Sequence, residues 1–81
     1  MRKINSDREM SFVRIEEEYP DDHILVKIVE IDHSKGKETG IVLCTSESRE
    51  ELVTFSKNED IFGDIIILLG VNLTPVLGGL I

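Results

Sequence analysis

Two stretches of this chain decide how it can fold: Ile65-Ile66-Ile67-Leu68-Leu69 and, earlier, Ile24-Leu25-Val26-Lys27-Ile28-Val29-Glu30-Ile31-Asp32. Both are rich in β-branched residues and read as strands. Neither alternates apolar with polar residues as a strand with one wet face does, so each calls for cover on both faces. In the earlier strand Ile24, Val26, Ile28 and Glu30 share one face, and Leu25, Lys27, Val29 and Ile31 share the other. Supplying that cover is the main structural problem for 81 residues, enough for one small domain. A domain this small buries only roughly 60% of its unfolded surface, so its core is thin.

The remaining elements follow from local signals. Ser6-Asp7-Arg8-Glu9 has capping-box spacing, and Phe12, Ile15 and Tyr19 then recur at helical intervals up to Pro20, which predicts a helix ending at about Tyr19. Glu16, Glu17 and Glu18 near its end oppose the helix dipole. Residues 1–10 are a candidate flexible basic arm on the single domain of residues 1–81, against the plainer reading of an ordinary fluctuation of charge. Ser34-Lys35-Gly36-Lys37 is a polar turn that returns the strand at 24–32 as a hairpin with a second strand at 39–45. Ser48-Arg49-Glu50-Glu51 is a second capping box, followed by Leu52 and Phe55, with Glu50 and Glu51 where the dipole favours acids. A phosphate cradle would want glycines or a lysine at such a helix start, and neither is present. Gly63 and Asp64 precede the strand at 65–69, and Pro75 opens a last strand at 75–81. The expected fold is therefore an α+β or α/β two-layer sandwich in the order α-β-β-α-β-β. It has one four-stranded mixed sheet, with strand order 2-1-3-4 if the third strand lies beside the first.

Composition narrows function mainly by exclusion. Sixteen acids against nine bases give a net charge of −7, which repels phosphate backbones and anionic lipid, so neither nucleic acid nor a membrane is an expected partner. Residues 1–14 carry +2 and the remainder −9. Residues 65–81 are seventeen uncharged residues, short of the ~20 of a membrane span, and Asn72, Thr74, Pro75 and glycines interrupt them. The single Cys44 cannot form an internal disulfide, which fits a reducing, cytoplasmic compartment.

The motifs Glu18-Tyr19-Pro20-Asp21, Ile24-Leu25-Val26, Gly40-Ile41-Val42-Leu43 and Ser48-Arg49-Glu50-Glu51-Leu52, taken in order, resemble a family of short uncharacterised prokaryotic proteins, a domain of unknown function. The similarity spans about residues 12–75. His23 stands where that family has tryptophan, and Leu68-Leu69-Gly70 stands where it has Tyr-Thr-Gly. The resemblance implies a fold and brings no catalytic residues.

Chemistry-bearing clusters are few. Asp21, Asp22 and His23 offer N and O ligands for a divalent metal or an active site, against the plainer reading of an acidic turn. His33 lies a strand's length away, roughly 30 Å, and cannot share an ion with His23 in one chain. Cys44 sits in an apolar strand, where a buried side chain is the simpler account than a nucleophile. The Glu16-Glu17-Glu18 carboxylates splay outward on a helix instead of facing one another. Phe12 and Tyr19 suit helix-to-sheet packing as well as a ligand wall. No glycine-rich phosphate loop or Gly-x-Ser-x-Gly is present. No cofactor, metal or catalytic residue is therefore expected.

What resists a purely structural reading is the apolar surplus, since the second helix can shield one sheet face only. The sequence predicts a small, acidic, non-catalytic interaction module that self-associates as a homodimer, with Pro75, Val76, Leu77, Leu80 and Ile81 at the interface. The alternatives are a metal protein or enzyme using Asp21, Asp22 and His23, and an acidic inhibitor or antitoxin-like protein with an unidentified protein partner.

Overall fold

The computed structural model describes residues 1–4, 6–61 and 63–73. Its elements are β1 (Arg2–Lys3), β2 (Glu9–Ser11), α1 (Phe12–Glu18), β3 (His23–Asp32), β4 (Lys37–Ser46), α2 (Arg49–Asn58) and β5 (Ile65–Leu69). The order is β-β-α-β-β-α-β, with five strands in one sheet, which corrects the expected α-β-β-α-β-β order and four strands. The sheet runs β1-β4-β3-β5, with β2 also on β4, and all these pairings are antiparallel, so it is not the mixed sheet expected. β4 and β5 do run in the same direction, but β3 lies between them, so no parallel ladder forms. The expected last strand at 75–81, with Pro75, Val76, Leu77, Leu80 and Ile81, lies outside the described residues.

The β3–β4 hairpin is the frame. Its turn is held by Asp32, whose Oδ1 accepts from the Ser34 hydroxyl (2.6 Å), the Ser34 N–H (3.1 Å) and the Lys35 N–H (3.3 Å). Those bonds, the Ser34 hydroxyl foremost, hold the Asp32 carboxyl below its usual range. Gly36 takes the left-handed φ of +64° that closes the turn. Two irregularities decide which side chains face which layer. Leu25 pairs with Cys44 but Val26 with Val42, so Leu43 is an extra residue on β4. Val42 and Cys44, which an unbroken strand would place on one face, consequently serve opposite cores. Between the Ile28–Gly40 and Glu30–Thr39 pairs the extra residue is Val29, which is exposed, as is Ile31 beyond it.

The cover demanded by β3 is found on both sides. Ile24 and Val26 pack with Phe12 and Ile15 of α1, together with Val42 and Leu68. Leu25 packs with Cys44 and Leu52 of α2. Ile15, Ile24, Val26 and Leu52 are all fully buried. The molecule is thus three layers, α1, sheet and α2, in place of the two-layer sandwich expected, because two short helices each shield one face.

The first helix also starts later than predicted. Ser11, not Ser6, is its N-cap, accepting from the Arg14 N–H at 3.2 Å. Ser6 accepts from the Arg8 N–H two residues on. Glu9-Met10-Ser11 pairs instead with Ile41, Gly40 and Thr39, and the Thr39 hydroxyl donates to Glu9 Oε2 at 2.6 Å. A free edge on β4 and a place for Met10 against the α1-side core outweigh the local helical signal. Phe12 and Ile15 form the buried stripe of α1, Tyr19 packs beside them, and the helix stops before Pro20 as its fixed ring requires.

Candidate functional site

Among the described residues β5 is the end of the sheet. Gly63, at φ +92°, turns the chain into it, and the Ile28 N–H reaches the Asp64 carbonyl at 2.7 Å, just beyond the last ladder pair of Lys27 with Ile65. Its five residues are all aliphatic. Ile66 and Leu68 join the α1-side core, whereas Ile65 and Ile67 join the α2-side core. Only Leu68 is buried, and the other four are half-buried. Among the described residues β5 pairs with β3 alone, leaving a row of outward N–H and C=O groups with an apolar fringe above and below. Residues 65–73 are uncharged, and Asp64 is the charge next to the strand.

A second feature lies at the N-terminal end of α2. The chain's amino group at Met1 bridges to Glu51 Oε1 at 2.6 Å, and the Ser46 hydroxyl donates to the same oxygen at 2.8 Å. Ser46 Oγ accepts from the Ser48 N–H at 3.0 Å, while Ser48 Oγ accepts from the Glu51 N–H at 3.4 Å. The capping box is therefore not closed directly: the Glu51 carboxylate is diverted to the amino group and Ser46 takes its place at the Ser48 N–H. Hydrogen bonds from the amino group and Ser46 hold Glu51 below the usual carboxylate range. The bond to Glu51 raises the amino group in turn. The hollow beside them, about 430 Å³, is lined in part by Asp22, Thr45, Ser46 and Ser48 and is open to solvent. Lys3 Nζ lies 5.5 Å from the centre of the Phe55 ring, so β1 and the Met1 that precedes it are each tied to α2.

The residues singled out for chemistry are dispersed. Asp21 Oδ1 accepts from the Asn72 side chain at 2.8 Å, and the Asp22 carbonyl accepts from the Gly70 N–H at 2.9 Å. His23 begins β3 opposite Ser46 and Leu69, with Nδ1 buried and lacking a hydrogen-bond partner. Among the described residues no three His, Cys, Asp or Glu side chains gather as metal ligands. His33 sits in the hairpin turn at the opposite end of β3. Cys44 is fully buried beside Leu25 and Leu52, and burial pushes its thiol up, the reverse of an activated nucleophile. Glu16 is raised by burial and by Glu38 nearby; Glu17 and Glu18 are exposed, with Arg14 3.8 Å from Glu18. Among the described residues no helix is long and apolar enough to cross a membrane.

Sequence reasoning missed β1, β2 and the amino group's bond to Glu51. The one hint was the charge pattern, a basic start in an acidic chain. Comparison of the chain with known protein families, curated proteins and solved structures found no match.

Proposed function

We propose that this protein is a small, acidic, non-catalytic interaction module of the cytoplasm that self-associates as a homodimer. The observation that carries this reading is the outer edge of β5: five aliphatic residues, four of them half-buried, in a strand that among the described residues pairs on one side only and carries no charge within it. Strand addition at such an edge satisfies the outward backbone groups and extends both apolar layers at once. Charge supports the choice of a like partner. Two chains of net charge −7 repel over most of their surfaces, and residues 65–73 are a stretch where they can meet without opposed carboxylates. The segment with Pro75, Val76, Leu77, Leu80 and Ile81 continues that uncharged stretch and belongs to the same proposed contact region.

Light scattering over a dilution series at low and high salt tests the proposal. The expected result is a mass of two chains that resists dilution and holds better at high salt, where the net charge is screened. A mass of one chain at every concentration and salt would refute it.

A further inference from the structure

We infer that the second copy docks strand to strand on β5, antiparallel, with a two-fold axis perpendicular to the sheet through Ile67; this rests on the self-association proposed above. Three observations lead to it. First, β5 is bonded on the β3 side only among the described residues, from His23–Leu69 to Lys27–Ile65.

Second, residues 70–72, which follow β5, bond on the β3 side of the strand and not along its outer edge. The Gly70 N–H donates to the Asp22 carbonyl (2.9 Å), the Val71 N–H to Glu16 (3.1 Å) and the Asn72 N–H to Pro20 (2.9 Å). All three acceptors lie in α1 or in the segment that joins it to β3. Gly70 is needed for this path, since a Cβ there would run into the backbone of Tyr19 and Pro20.

Third, the face pattern selects the register. Residues opposite one another across an antiparallel pair share a face of the sheet. Centring on Ile67 sets Ile67 against its copy, Ile66 against the copy's Leu68, and Ile65 against the copy's Leu69. Ile66 and Leu68 both serve the α1-side core, so the α1 layers of the two molecules meet on one face and the α2 layers on the other. Shifting the centre by one residue leaves two of the five without a partner, so this register alone uses the whole strand. It gives a single sheet continuous through both molecules, covered above and below.

Cysteine cross-linking in the full chain decides the matter, with buried Cys44 left in place and the unsubstituted chain as control. Cβ atoms opposite one another across such a pair are about 4.5–5.5 Å apart, within reach of a disulfide after small adjustment or of a short bismaleimide. Ile67→Cys should give a covalent two-chain species. Ile65→Cys alone should give none, yet should cross-link when mixed with Leu69→Cys. If Ile67→Cys does not fold, the mixture of the other two carries the test. A chain that has two-chain mass but forms neither link overturns the register while leaving self-association standing. One-chain mass of the unsubstituted protein removes both.

Discussion

Gly40 lies where three strands and a helix converge, opposite Ile28 on β3 and Met10 on β2, with its α-carbon turned to the α1-side core. A Cβ at this position would overlap Val26 Cγ1, stand 2.7 Å from the Lys27 carbonyl oxygen and 3.3 Å from Phe12 Cε1. Val26 is fully buried and Phe12 nearly so, which leaves them no free space to yield, and the Lys27 carbonyl belongs to the ladder. Gly40→Ala is therefore an overpacking substitution, costing about 1–3 kcal/mol. The lower entropy of the unfolded alanine chain offsets about 0.4–1 kcal/mol of that. A net loss of about 1.3 kcal/mol, from the middle of each range, corresponds to a Tm lower by roughly 5–10 °C in a domain of this size. The assay is thermal unfolding followed by circular dichroism, with urea unfolding to check that the m-value is unchanged. An unchanged or raised Tm would refute the close approach of β4 to α1 and, with it, the assignment of Val26 and Phe12 to one core.

Further perturbations separate the parts of the account. Ser11→Ala should cost about 1 kcal/mol in urea unfolding as a lost helix cap, whereas Ser6→Ala should stay within about 0.5 kcal/mol; the reverse ranking would restore the helix start to Ser6. Leu52→Ala should cost about 2–5 kcal/mol by the same measurement, because Leu52 is the fully buried residue of α2 and anchors it over Leu25 and Cys44. The link between the amino group and Glu51 should show in Tm against pH. Glu51 is depressed, so its contribution is present above the ordinary value of 4.5 and is lost as pH falls through the lower folded value. The amino group is raised, so its contribution is present below 8.0 and is lost as pH climbs through the higher folded value. Glu51→Gln should thus lower Tm between those limits and converge with the parent outside them; a uniform offset at all pH values would count against the ion pair.

The elements that the sequence made legible are those whose own residues dictate them. Ile24 to Val26 and Ile65 to Leu69 carry β-branched runs that demand burial, and Ser48 with Glu50 and Glu51 marks the start of α2 by hydrogen bonding and dipole alone. β1 and β2 have no such signature. Arg2-Lys3 and Glu9-Met10-Ser11 become strands because β4 offers an unpaired edge, and at residues 9–11 that long-range pairing outcompetes a capping box. The extra residues at Leu43 and Val29 were equally hidden, since a bulge depends on how two strands fit, and the one at Leu43 is what divides β4 between the two cores. The two-layer expectation failed for a related reason: α1, shortened to seven residues, still brings Phe12 and Ile15 down on the second face. Of the candidate site, the apolar surplus was readable in the sequence. Its concentration on β5 among the described residues depends on α1, which covers the second face of β3 and leaves four of the five β5 residues half-buried.

The most direct test is amide hydrogen exchange across Ile65 to Leu69 as a function of protein concentration. In an edge strand every second amide points away from β3 and exchanges readily, while those between are protected by the ladder. Pairing with a second copy predicts that all five are protected at high concentration and that the outward set alone loses protection on dilution. An outward set that exchanges freely at every concentration, or one that stays protected at every concentration in a one-chain species, would contradict strand pairing between copies.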